Sequence, residues 1–169
     1  ELIKKVYVPK YLFPISKVMS SGVNLMASMI ALIIVMLVTR ARVTPTILLA
    51  LFPLLYVLLF STGVSLFLAA AAVSFRDLMH LYGVITTAWM YLTPMIYPIE
   101  ILDGAPAWVR MIVNINPLTG FIKIFRCVVL DGVTAPAILH VQSLIWCAVA
   151  LAIGSAVFKK AQDGFILKI

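Results

Sequence analysis

The sequence predicts an all-α integral membrane protein, with four transmembrane helices and two short re-entrant helices in an external loop. Three observations carry this. Four long runs, Val18–Thr39, Thr46–Phe75, Leu81–Ile99 and Val141–Phe158, contain no Asp, Glu, Lys or Arg. The charged residues, 11% of the chain against 64% hydrophobic, gather between those runs. The runs are apolar on every face, whereas the strands of a membrane barrel alternate polar and apolar over ~10 residues.

A soluble domain carries a charged surface of roughly a quarter of its residues. This chain, with a mean hydropathy of +1.15, cannot supply one, so lipid is the solvent for most of its surface. A helix needs ~20 apolar residues to cross ~30 Å of hydrocarbon. It also satisfies its own backbone groups, which lipid cannot do. The 169 residues form a single transmembrane domain, expected to be N-terminally incomplete because the chain opens on Glu1 and shows no signal peptide.

Residues 1–17 carry Lys4, Lys5, Lys10 and Lys17 and read as a basic segment beside the membrane. The first span ends at Arg40 and Arg42. The second, Thr46–Phe75, carries Ser61, Ser65 and Ala69 at four-residue spacing, a stripe that lets helix backbones approach closely. Ala148, Ala152 and Ala156, with Gly154 nearby, form a similar stripe in the fourth span, and both suit packing within one subunit.

Between the second and third spans lies the short turn "SFRDLMHL". Arg76 can snorkel to lipid phosphate, and Asp77 is placed to cap the next helix as an acceptor. A partner that reads this turn is the alternative. In the third span Tyr82, Thr86, Trp89 and Thr93 fall at i, i+4, i+7 and i+11, on one helix face. Interfacial belts put Trp at span ends, but Trp89 lies near the middle. An aromatic face with hydroxyls suits sugar rings; a helix–helix contact is the other reading.

The external loop, residues 100–140, is too apolar to float in water. Asn116 and Pro117 read as a helix start, with Asn as the cap and Pro at the first helical position. Leu118, Phe121, Ile122, Phe125 and Val129 follow at helical spacing, and Trp108, Val109, Ile112 and Val113 form a shorter apolar face before them. Two short helices that enter the outer leaflet and return are expected, beside a cavity or exit path.

Four spans place the first, third and fifth non-spanning segments on one side. Eight basic residues lie there: Lys4, Lys5, Lys10, Lys17, Arg76, Lys159, Lys160 and Lys168. Five lie opposite: Arg40, Arg42, Arg110, Lys123 and Arg126. The positive-inside rule puts both ends of the chain in the cytoplasm. This distribution also accounts for the net charge of +7 without nucleic acid. Cys127 and Cys147 have no metal-ligand spacing and read as unpaired thiols. No ionisable residue lies in a span core, which argues against proton or sodium coupling. There is no phosphate-binding GxxxxGK[ST] loop and no HExxH or GxSxG motif, so energy must come from another polypeptide.

"LIKKVYVPKYLFPIS", "FRDLMHL", "LTPMIYP" and "NPLTGFIKIFR" occur in this order along essentially the whole chain. Together they resemble the membrane subunit of type-2 ABC exporters of lipid-linked polysaccharides (O-antigen, capsule-like glycans and teichoic acid). The resemblance implies the C-terminal four-span part of a six-span permease in the bacterial cytoplasmic membrane. It implies a permease homodimer paired with an ABC ATPase subunit that binds ATP and Mg, with no cofactor in this chain. Residues 1–17 resemble the coupling helix, which assigns Lys4, Lys5, Tyr7, Pro9 and Lys10, with Arg76 and Asp77, to contact with the ATPase. The third-span face and Tyr97 of "LTPMIYP" are the expected substrate path. Two alternatives remain: a membrane-embedded enzyme acting on lipid-linked sugars, and a type-2 permease for drugs or small lipids.

Overall fold

The computed structural model describes residues 10–40, 44–74, 77–98, 101 and 104–162. Among them the regular structure is entirely helical: α1 (Leu12–Val38), a 3-10 turn (Pro45–Ala50) running into α2 (Leu51–Ser74), α3 (Leu78–Leu92), α4 (Ala107–Ile115), α5 (Pro117–Val129) and α6 (Ala137–Gln162). Leu12–Val38, Pro45–Val73 and Ala137–Ala161 are long and apolar enough to cross a membrane. The α4–α5 pair, bent by 80°, makes a fourth candidate if it counts as one span.

α1 starts six residues before the expected boundary. Pro14 falls in its first turn, where the N–H that proline lacks would have no helical partner anyway. The helix closes at Thr39, whose hydroxyl donates to the Val35 carbonyl at 2.8 Å, and Arg40 turns the chain away with φ of 53°. That left-handed residue is the usual way to end a helix, though glycine is the usual occupant.

α3 departs most from expectation. Its 15 residues extend about 22 Å at 1.5 Å per residue, less than a membrane crossing. The reason is Pro94, whose ring disfavours a helical Thr93. Thr93 is extended, with ψ of 129°, and residues 93–97 continue in turns and bends. The expected span Leu81–Ile99 is therefore not one continuous helix. At its start Asp77 holds the N-cap position, but its carboxylate makes no capping bond. The backbone there is helical, at φ −80° and ψ −2°, and lacks the β-region geometry that aims a cap side chain at the first turn.

α2 and α6 form the central pair. A Cβ added at Gly63 would stand 2.5 Å from the Ala150 carbonyl oxygen, and one added at Gly154 would stand 2.8 Å from the Gly63 carbonyl carbon. The two backbones thus touch. The seam runs through Gly63, Ala150, Leu151 and Gly154, whereas Ala148, Ala152 and Ala156 are exposed on another face of α6. The alanine stripe was expected to pack within the subunit; the helix turns it away because the glycine faces the contact.

Phe158 clusters with Leu66 and Ala70, and His140 meets Tyr56, so α6 runs parallel to α2. Met36 joins the cluster around Ala50, while Lys17 and Val18 share a cavity with Ser65 and Leu68, so α1 runs antiparallel. The start of α1, the α2–α3 turn and Lys159–Lys160 consequently share one end of the bundle. α5 closes the core: Phe121, Ile124, Val128 and Val129 are at most 2% exposed and pack with Tyr56, Phe60 and Cys147. It runs from the level of Phe60 toward the start of the α2 rod, where Thr46 Oγ1 donates to the Val128 carbonyl at 3.0 Å.

Candidate functional site

α3 leans on the rest of the bundle mainly through its last turns, and a cavity of about 490 Å³ opens between it, α1 and α2. α3 contributes Tyr82, Thr86 and Trp89, α2 contributes Ser61 and Ser65, and Lys17 and Ser21 come from α1. The helical spacing that groups the three α3 residues in sequence also brings them to one wall.

Three of the cavity's hydroxyls donate along their own helices. Thr86 Oγ1 donates to the Tyr82 carbonyl at 2.7 Å, Ser21 Oγ to the Lys17 carbonyl at 3.1 Å, and Ser65 Oγ to the Thr62 carbonyl at 2.9 Å. Their oxygens keep lone pairs, so they offer acceptors to a ligand's O–H or N–H groups. The Lys17 ammonium supplies donors and a positive charge. Tyr82, 46% exposed, and half-buried Trp89 add ring faces. The rest of the lining is apolar, Val18, Leu25, Leu58, Val64 and Leu68 among it, so the cavity sets a few hydrogen-bonding groups, ring faces and one cation in a largely hydrocarbon wall.

The deep edge of the cavity is fixed by a buried polar knot. Trp89 Nε1 donates to Asn116 Oδ1 at 2.9 Å, and Asn116 Nδ2 donates to Thr93 Oγ1 at 2.8 Å. Thr93 Oγ1 in turn donates to the Trp89 carbonyl at 2.8 Å. Asn116 Oδ1 also accepts the Leu118 N–H at 3.1 Å, the N-cap bond expected of Asn before Pro117. One side chain therefore caps α5, holds the α4–α5 bend and ties both to the end of α3. Arg126 of α5 completes the tie by donating to the Pro94 carbonyl at 2.8 Å. The rings of Trp89, Phe60, Phe121 and Tyr56 form a chain behind the knot, edge to face at Trp89–Phe60 and Phe60–Phe121 and tilted at Phe121–Tyr56, with centroids 5.9–6.3 Å apart.

Of the expected path residues, Tyr82, Thr86 and Trp89 line the cavity. Thr93 does not: it is fully buried in the knot. Tyr97 lies past the helix end, with its hydroxyl donating to the Leu92 carbonyl at 3.3 Å. The extended ψ at Thr93 explains Tyr97, because the helical spacing stops after it; Thr93 itself keeps its helical N–H bond to the Trp89 carbonyl and is covered by Asn116. Sequence reasoning missed Lys17 and Ser21 as cavity residues. Ser61 and Ser65 stood out only as small residues, and Asn116 only as a cap.

Of the expected coupling residues, Lys4, Lys5, Tyr7, Pro9 and Arg76 lie outside the described residues. Lys10 sits in the turn before α1, and exposed Asp77 opens α3 at the same end of the bundle.

A family model described as ABC-2 type transporter matches residues 1–130. The O-antigen export system permease protein RfbA of Myxococcus xanthus is 28% identical over 130 residues, covering 76% of this chain and 49% of that protein. Two Klebsiella pneumoniae proteins of the same name are 26% identical over 158 residues and 25% identical over 169 residues. These cover 90% and 98% of this chain, but 60% and 62% of the relatives. The chain thus spans about half to three fifths of the length of these curated relatives.

Proposed function

The chain belongs to the ABC-2 type transporter family, and from that premise we propose that it is the C-terminal part of a permease that exports lipid-linked polysaccharide of the O-antigen kind. The observation that carries the reading is the cavity between α1, α2 and α3. A glycan crossing lipid must exchange water for a surface that both hydrogen-bonds and stacks, and that wall offers both. The names of the relatives support the same substrate class.

In this proposal the energy is supplied by a separate ABC ATPase that binds ATP and Mg. It docks on the end of the bundle formed by the start of α1 and the α2–α3 turn. Lys4, Lys5, Tyr7, Pro9, Lys10, Arg76 and Asp77 form the coupling surface. That end faces the cytoplasm, by the excess of basic residues on it. Two permeases pair with two ATPase subunits in the cytoplasmic membrane. The α4–α5 elbow enters the outer leaflet from the opposite side and bounds the exit.

The test is reconstitution. Full-length permease and its ATPase are placed in vesicles loaded with lipid-linked glycan, and glycan exposure on the far leaflet is followed after ATP addition. ATP-dependent transfer is expected. An active ATPase with no glycan transfer sinks the proposal.

A further inference from the structure

A second cavity, also about 490 Å³, lies among α4, α5 and α6 and belongs neither to the α1–α3 cavity nor to the polar knot. We propose that it binds the phosphoryl headgroup of an anionic phospholipid, with the acyl chains lying along α4. Nothing in this inference depends on the exported substrate being a glycan.

Three features of the cavity specify the ligand. Lys123 lines it, and its ammonium donates to Asn114 Oδ1 at 2.8 Å; among the described residues no carboxylate faces it. Its charge therefore has a neutral partner only, which leaves it available to an anion. Gln142 Nε2 donates to the Asn114 carbonyl at 3.0 Å, which fixes the floor of the cavity between α4 and α6. Thr119 lines it as well, 1% exposed, and its hydroxyl has no hydrogen-bond partner among the described residues. A buried hydroxyl left unpaired is costly, and a phosphoryl oxygen would accept from it.

The rim says what the phosphoryl group is attached to. Met111 and Ile115, which also line the cavity, are 64% and 49% exposed. Trp108 and Ile112 continue the same apolar face of α4, at 66% and 45% exposed. α4 therefore turns an apolar stripe away from the protein, directly beside a cationic cavity. Interfacial amphipathic helices show this arrangement, with acyl chains against the stripe. Arg110, exposed on α4, adds a second cation nearby. A zwitterionic headgroup would bring an ammonium group into this site, where no described carboxylate could receive it, so a net anion is favoured.

The test uses native mass spectrometry of full-length permease equilibrated with equimolar dioleoylphosphatidylglycerol and dioleoylphosphatidylcholine. Retained phosphatidylglycerol should exceed phosphatidylcholine by about fivefold, the preference one lysine gives near an anionic surface. Lys123→Met should bring the ratio near unity, and Lys123→Arg should keep it. Thr119→Val should lower phosphatidylglycerol retention by about threefold without lowering the melting temperature, because it deletes a hydroxyl that has no partner in the lipid-free protein. A merely structural Thr119 would show the reverse. Equal retention of both lipids by the native protein, or an unchanged ratio in Lys123→Met, overturns the proposal. Thermal protection by inorganic phosphate equal to that by phosphatidylglycerol also overturns it, because the site would then hold a free anion.

Discussion

Gly154 of α6 rests directly on the backbone of Gly63 in α2, and neither position has room for a Cβ. Lipid gives helices little hydrophobic reason to associate, so close backbone approach is a main source of helix adhesion in a membrane. A side chain at either glycine must push the helices apart along the whole seam.

Gly63→Ala and Gly154→Ala should each destabilise the protein by about 1–3 kcal/mol, the usual cost of overpacking. The double variant should cost less than the sum, since the first substitution already separates the helices. Thermal unfolding in detergent measures all three. Additive losses would mean that the two glycines do not share one contact. By contrast, Ala152→Val on the exposed face of α6 should change stability little.

The Asn116 knot makes a sharper claim. Asn116→Ala strands the Trp89 indole N–H and the Leu118 N–H together, while the Thr93 hydroxyl keeps its bond to the Trp89 carbonyl, and should cost about 1–3 kcal/mol through unsatisfied buried groups. Trp89→Phe keeps the ring contact with Phe60 but loses one hydrogen bond, a loss of about 1 kcal/mol. In a double-mutant cycle the two should couple. If Asn116→Ala costs no more than the loss of a helix cap, and shows no coupling to Trp89, the bond between α3 and the elbow carries no energy.

How much of this was legible follows from the range of each interaction. The apolar runs mark α1, α2 and α6 because hydropathy is a local property. The Asn116–Pro117 helix start was legible too, since a cap acts on its own next residues. The knot was not. Asn116 meets Trp89 and Thr93 from 27 and 23 residues away, and a sequence pattern does not show such pairs. The end of α3 was misjudged because hydropathy persists through "LTPMIYP" while Pro94 breaks the helix. The alanine stripe on α6 was as conspicuous as the glycine seam, yet only one of the two faces α2.

The shared end of the bundle leads to a topological test. Lys10, Asp77 and Lys160 lie at the same end, since α1 is antiparallel to α2 and α6 is parallel to it. In full-length permease with its native cysteines replaced, single cysteines at Asp77 and Lys160 should label only from the cytoplasm, and one at Asp103 only from outside. External labelling at Asp77 would reverse the orientation and remove the coupling surface with it.

Coupling itself is tested by charge. Glu at both Lys4 and Lys5 should weaken assembly with the ATPase or separate its hydrolysis from export, with the permease still inserted. Pull-down of the ATPase and hydrolysis per molecule of glycan exported give the two readouts. Normal values for both would leave these lysines as lipid anchors.

The substrate path requires a variant that separates transport from folding. Trp89 is a poor probe, because it is tied to Asn116 and packed on Phe60; Trp89→Ala should lower both the amount of folded protein and its activity. Tyr82 is the better one. It lines the same cavity, is 46% exposed, and stands two turns from the knot. Removing its ring should leave the melting temperature nearly unchanged. A passing glycan would lose one stacking contact worth about 1 kcal/mol, taking aromatic pairs as the scale. Rapid passage needs many weak contacts, because one deep well would hold the chain. Tyr82→Ala should therefore slow export per folded transporter by about fivefold, with Tyr82→Phe close to native. Thr86→Val removes an acceptor from the same wall and should slow export by less. If both variants export at the native rate per folded molecule, the cavity between α1, α2 and α3 lies off the path and serves packing or lipid instead.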